Sequence, residues 1–228
     1  SGMGELHLEI IISRMQREFR TNVRVGKPQV VYRETIGKPS EASATFDKEI
    51  AGQRHFAEVS LKVAPLPRGT GNRFISEISA GALPDICIAA VEKGIMESLE
   101  SGSLAGYPVV DIAVKLVDAS YKESLGTELA YIVSASMACK EAVAKGNPFL
   151  LEPIMTVEIL VPEPFIGDVI GDLNSRGGKI ESIEHKSGIQ AISATVPLSQ
   201  MFGYSTTLRS ATQGRGTFSM QFSHFDLS

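Results

Sequence analysis

The side chains of this sequence that could do chemistry are dispersed. Four histidines, His7, His55, His185 and His224, stand at no metal-ligand spacing. Cys87 and Cys139 each follow the apolar rhythm of a predicted helix and read as buried free thiols, which suits a reducing cytoplasm. No serine sits in a nucleophile elbow, and no cysteine is matched with a histidine. Asp168 and Asp172 stand i, i+4 on the outer side of a predicted helix, where solvation is expected over acid–base work. Gly69-Thr70-Gly71-Asn72-Arg73-Phe74 opens like a dinucleotide fingerprint. It lacks the third glycine and lies between two strands, and no Walker-type phosphate loop is present. The expectation is a chain without catalytic, cofactor-binding or metal-binding residues of its own.

Binding remains. The hairpin tip Gly52-Gln53-Arg54-His55 and the loop Tyr121-Lys122-Glu123-Ser124 join strong elements without apolar anchors. Each mixes a cation with stacking or hydrogen-bonding groups, a set that suits irregular RNA. On the residues alone an ordinary solvated turn explains the same letters better. Ser175, Arg176 and Lys179 flank Gly177-Gly178 and could offer amides and two cations to phosphate, yet a glycine C-cap accounts for that stretch equally. Hydrophobic residues make up 43% and charged residues 21%, and the formal net charge is −4. That balance fits a folded globular chain and argues against a broad basic face, so any RNA contact must come from local cations on loops and helix ends. No apolar run is long enough to span a bilayer.

These loops need elements to hold them. Leu8, Ile11, Ile12, Met15 and Phe19 predict a helix over residues 4–20, with an extended stretch at 22–25 after it. Strands are expected at Val30–Ile36, at Ser43–Ile50 and His55–Val63 as a hairpin, and near Arg73–Ser79. Cys87, Val91, Ile95 and Leu99 predict a helix over Pro84–Ser101, followed by a strand over Pro108–Val117 and a polar loop over Asp118–Gly126. Thr127 can cap a helix running to Lys145. Then come a strand at Met155–Val161, a helix with Ile166, Val169, Ile170 and Leu173 as its buried stripe, strands at Lys179–Glu184 and Ile189–Val196, a helix near Thr206–Ala211 and a strand at Thr217–Phe225. The order βαββαβ predicts a ferredoxin-like sandwich with both helices on one face.

Several blocks carry a specific resemblance. They are Gly2-Met3-Gly4-Glu5-Leu6-His7-Leu8-Glu9, Gly26 through Ile36, Leu104-Ala105-Gly106-Tyr107-Pro108-Val109-Val110-Asp111, Gly167-Asp168-Val169-Ile170-Gly171-Asp172-Leu173-Asn174-Ser175-Arg176-Gly177-Gly178, Pro197 through Tyr204, and Gln213-Gly214-Arg215-Gly216. In this order they resemble the translation elongation factor G family over essentially the whole chain. The resemblance implies an α+β chain in three parts: residues 1–28 as a helix-strand remnant of the third domain, 29–150 as the elongated, ribosomal-protein-like fourth domain with a left-handed βαβ crossover, and 151–228 as the ferredoxin-like fifth domain. It implies a GTPase domain upstream, so that GTP and magnesium belong to the full-length factor and no cofactor to these residues.

The resemblance also implies a monomeric cytoplasmic factor without a membrane partner. Its partners would be the ribosome's rRNA and proteins and the tRNA–mRNA duplex in the decoding site, with the two loops above at the tip of a lever that promotes translocation. Two departures stand out. The first tip loop of the family usually reads Ser-Gly-Gly-Arg-Gly-Gln-Tyr-Gly, against Ile50-Ala51-Gly52-Gln53-Arg54-His55-Phe56-Ala57 here. The second usually carries histidine where Lys122 follows Ser120-Tyr121. These suggest a divergent second copy of the factor. The alternatives are an elongation factor G-like recycling factor working with ribosome recycling factor, a ribosomal-protection protein, and a free-standing interaction module.

Overall fold

Alternation builds the first sheet. The structure is a computed structural model that describes residues 30–122, 124–186 and 188–227. The helix expected at 4–20 and the extended stretch at 22–25 lie outside the described residues. In β2 (Ser40–Ile50), Ala42, Ala44 and Phe46 are buried while the residues between them are exposed. In β3 (Gln53–Pro65), Ala57, Val59, Leu61 and Val63 do the same, so each strand turns one side to the core. The two pair antiparallel from Ser40↔Val63 to Ile50↔Gln53.

The chain divides into two units, one including Tyr32–Leu151 with 225–227, the other including Glu152–His224. In the first, the sheet order is β2-β3-β5-β4, with β4 at Arg73–Ser76 and β5 at Ile112–Ser120. β4 and β5 are parallel and are linked through α1 (Asp85–Leu99) as a βαβ crossover. α1 and α2 (Glu128–Lys145) supply Cys87, Val91, Ile95, Tyr131, Ala135 and Cys139 to the core against the inward side chains of the sheet. β1 (Arg33–Ile36) pairs antiparallel with the first four residues of β6 (Pro148–Pro162).

β5 differs from its expected bounds at both ends. It starts at Ile112 because Asp111 has φ 59°, a break that no strand tolerates. It continues through Asp118 to Ser120 because a register shift at Ser60/Leu61 leaves Val117 without an opposite residue and lets Asp118 pair with Ser60. Polar letters there mark the solvent side of a strand and not a loop. β6 likewise begins seven residues before the expected Met155, its early part being held by β1.

In the second unit β6 is followed by α3 (Ile166–Ser175), β7 (Lys179–Lys186), β8 (Ile189–Pro197), α4 (Tyr204–Ala211) and β9 (Thr217–Leu227). β6 and β7 both pair antiparallel with β8, and β9 pairs with β6, so the spatial order is β9-β6-β8-β7. The fold is α+β, with the βαββαβ sandwich in the second unit. Val157, Ile159, Val161, Ile192, Ala194 and Val196 from the sheet pack against Val169 and Leu173 of α3 and Tyr204 and Leu208 of α4. α3 ends in a Schellman motif: Gly177 has φ 70° and the Gly178 amide donates to the Leu173 carbonyl at 2.9 Å.

Candidate functional site

β2 and β3 stay paired up to Ile50↔Gln53, so their connection is only Ala51 and Gly52, at φ 53° and 78°. Two successive positive φ angles make a type I′ turn, the form whose twist matches paired strands. Gly52 adopts this freely, and Ala51 at a cost of about 1 kcal/mol. Of the tip predicted at Gly52–His55, only Gly52 is therefore turn. Gln53, Arg54 and His55 are strand residues and alternate between faces.

Arg54 Nε donates to Asp47 Oδ1 at 2.8 Å and Nη2 to Oδ2 at 2.6 Å, a bidentate pair on the strand surface. The hydrogen bond from Arg54 holds the Asp47 carboxyl below its usual range, with the charges of Arg54 and Lys122 adding to it, and Asp47 raises Arg54 in turn. At 60% and 37% side-chain exposure this pair orients the guanidinium more than it stabilises the fold. His55 points to the other face, where its Nδ1 lies 2.7 Å from Thr127 Oγ1.

The second loop is closed on itself and on the hairpin. The Lys122 carbonyl accepts from the amides of Leu125 at 3.0 Å and Gly126 at 2.7 Å, and the Leu125 carbonyl accepts from the Phe56 amide at 2.9 Å. Lys122 Nζ stands 3.6 Å from the centroid of the Phe56 ring, a cation–π contact. Tyr121 is 41% exposed, Ser124 is exposed, and Glu123 lies outside the described residues. From beneath, the fully buried Tyr131 of α2 donates its hydroxyl to the Ser120 carbonyl at 2.9 Å, and burial pushes its phenol up to about 12. Thr127 caps α2 by accepting the Ala130 amide at 3.3 Å. The two loops thus lie side by side. Asp47, Phe56 and Thr127 join the site although no signal in the sequence marked them beyond the cap residue itself.

The candidate cluster of the second unit is arranged otherwise. Arg176 Nε donates to Asp172 Oδ2 at 2.8 Å, Nη2 donates to Thr207 Oγ1 at 3.1 Å, and Nη1 donates to the Gln200 carbonyl. Its guanidinium carbon lies 5.1 Å from the centre of the buried Tyr204 ring. Each of the three nitrogens of this cation makes a hydrogen bond inside the unit, so Arg176 serves as an internal tie between α3, α4 and the segment before it. Ser175 donates to the Asp172 carbonyl at 2.7 Å, leaving Lys179 as the exposed cation of the three. Arg176→Ala is expected to destabilise the unit by about 2–3 kcal/mol, because it removes charge-assisted hydrogen bonds and strands their acceptors. Lysine should recover little of that, since it cannot make the fork. Urea unfolding of the two variants decides it: a surface phosphate ligand would show no such loss.

The incomplete glycine fingerprint is also occupied from within. Asp111 Oδ2 accepts from the Gly69 amide at 3.0 Å and Oδ1 from the Gly71 amide at 2.8 Å, so the amides a phosphate would need hold a carboxylate. Among the described residues, no three His, Cys, Asp or Glu side chains are grouped to hold a metal ion. Cys87 and Cys139 are buried, and burial raises both thiols, Cys139 to about 11.

Comparison with known proteins decides the family. The family model described as "Elongation factor G, domain IV" matches residues 28–147, that of the elongation factor G C-terminus matches 149–228, and that of domain III matches 1–27. The chain belongs to the elongation factor G family. It is 52% identical over 225 residues to elongation factor G of Aquifex pyrophilus, covering 99% of this chain and 32% of that protein. A crystal structure of a Thermus thermophilus protein matches with a TM-score of 0.89 at 34% identity, over 98% of this chain and 33% of that one. The chain therefore spans about a third of the length of these relatives. The site at Gln53, Arg54, Tyr121 and Lys122 lies within the domain IV match.

Proposed function

We propose that this chain is the ribosome-facing lever of an elongation factor G that promotes GTP-dependent translocation. The observation that carries the reading is the pairing of the two loops: Lys122 seated on Phe56, Arg54 oriented by Asp47, and Gly52, Gln53, Tyr121 and Ser124 exposed beside them. Such a set offers two oriented cations, an aromatic face and amide donors to the irregular surface of the tRNA–mRNA duplex in the decoding site. Ribosomal RNA and ribosomal proteins are the other partners. GTP and magnesium belong to the rest of the factor, which acts as a cytoplasmic monomer. In the second unit Lys179 and Ser175 are the remaining candidates for rRNA phosphate.

The test uses the full-length factor. Arg54→Ala combined with Lys122→Ala should slow single-round translocation on the order of tenfold, the loss expected from one good nucleic-acid contact. The defect should deepen as salt is lowered, where phosphate contacts count most. GTP hydrolysis on the ribosome should stay within about twofold of the parent, because it depends on groups outside these loops. A double variant that translocates at the parental rate makes these loops solvated turns and ends the proposal.

A further inference from the structure

We infer that His55 is a positioning residue: through Thr127 it locks the two tip loops into one body, and it does not itself touch the ligand. The inference rests on the proposal that the tip faces RNA. The side chain of His55 turns to the helix-covered face of the hairpin, and its Nδ1 meets Thr127 Oγ1 at 2.7 Å. Thr127 already accepts the Ala130 amide as the N-cap of α2. With a neutral imidazole carrying its proton on Nε2, the chain of donors runs one way: the Ala130 amide to Thr127 Oγ1, and the Thr127 hydroxyl to His55 Nδ1.

The rest of the tip converges on the same point. Phe56, next to His55, gives its amide to Leu125 and its ring to Lys122. Leu125 and Gly126, just before Thr127, give their amides to the Lys122 carbonyl. Gly126 leaves little room for a side chain, since a Cβ there would stand 3.1 Å from that carbonyl oxygen and 3.2 Å from the Tyr131 hydroxyl. Lys122 is thus held from two sides, by the ring of the residue after His55 and by the turn before Thr127. The histidine–threonine bond closes this circuit between segments 72 residues apart in the chain. Without it, beyond the β3–β5 ladder that ends at Glu58↔Ser120, hairpin tip and loop keep one backbone hydrogen bond, the cation–π contact and the attraction between Asp47 and Lys122, so the Leu125–Gly126 turn is held less firmly.

Two measurements test this. Amide hydrogen exchange of this chain is followed in His55→Ala, Thr127→Val, their double variant and Thr127→Ser. His55→Ala should speed exchange at Leu125 and Gly126, which His55 does not touch, by about tenfold, the equivalent of one lost side-chain hydrogen bond. Thr127→Val should match it at these amides, the double variant should be no faster than the singles, and Thr127→Ser, which keeps the hydroxyl, should behave as the parent. Unchanged exchange at Leu125 and Gly126 in His55→Ala, with the chain folded, overturns the latch. So does a double variant whose effects add.

The second measurement is translocation by the full-length factor carrying the same substitutions. Thr127→Val should slow it as much as His55→Ala, with Thr127→Ser at the parental rate. A defect in His55→Ala alone would make the imidazole a direct ligand contact and overturn the inference. If exchange follows the expected pattern while no variant affects translocation, the latch stands and the RNA reading of the tip is what fails.

Discussion

Glu34→Ala will cost the first unit about 3 kcal/mol of its unfolding free energy, because it removes a fully buried carboxylate that answers three converging backbone amides. Glu34 has no exposed surface. Its Oε2 accepts from the Leu104 amide at 2.9 Å, and its Oε1 accepts from the Ala105 amide at 2.8 Å and the Tyr107 amide at 3.1 Å. The backbone of Glu34 adds two more ties, its amide to the Pro108 carbonyl and its carbonyl from the Val110 amide. A carboxylate answers three converging N–H groups because it accepts at both oxygens and brings charge. Alanine answers none. Glutamine keeps one acceptor and turns an NH₂ toward a remaining amide, so Glu34→Gln should recover only part of the loss. The midpoint and slope of urea unfolding measure both. If alanine shifts stability by less than about 1 kcal/mol, the segment 104–107 is held by something other than this carboxylate.

That carboxylate also shows where sequence reasoning stops. Patterns that close within a few residues were legible. The alternation of Ala57, Val59, Leu61 and Val63 marks a strand with one buried side, Thr127 marks the start of a helix, and Gly177-Gly178 marks the end of one. The order βαββαβ also carries its own topology, because handedness rules leave few ways to fold it. Glu34 lies 70 residues from Leu104, and an acid between Arg33 and Thr35 reads as solvated unless its distant partners are known. Asp111 reads as one residue of a strand over Pro108–Val117. Its role toward Gly69 and Gly71 is set by a contact across about 40 residues, and that same contact makes β5 begin late.

The candidate site divides along the same line. Both loops stand out locally as cations between strong elements without apolar anchors, although the residues alone favour an ordinary solvated turn in each. What orients them does not, because Asp47, Phe56 and Thr127 have ordinary explanations where they stand in the sequence: an exposed strand acid, a strand aromatic and a helix cap. Arg176 is the converse. A cation between glycines resembles a phosphate ligand until Gln200 and Thr207, 24 and 31 residues on, are seen to take its donors.

Two glycines in helices, alike in sequence, should respond in opposite directions to the same substitution. Alanine is favoured over glycine in a helix interior by about 1 kcal/mol. At Gly171 in α3 nothing lies within 4 Å of where a Cβ would stand, so Gly171→Ala should stabilise the second unit by about 0.5–1 kcal/mol. At Gly94 in α1 a Cβ would strike the carbonyl oxygen of Ile132 on α2, with the carbonyl carbon and Cα of Ile132 both at 2.9 Å. Those atoms are helix backbone and cannot swing aside as a side chain could. Overpacking of this kind costs up to about 3 kcal/mol, which exceeds the gain in helix propensity, so Gly94→Ala should destabilise the first unit by about 2 kcal/mol. Thermal unfolding of the two variants reads the signs directly, and a stabilised Gly94→Ala would mean that the helices part at no cost. The close approach also reaches the tip. Ile132 adjoins Tyr131, whose hydroxyl holds the Ser120 carbonyl at the base of the second loop. Helices forced apart at Gly94 should therefore loosen the Leu125 and Gly126 amides as well, and the Tyr131 hydroxyl is the link through which packing between two helices sets the position of Lys122.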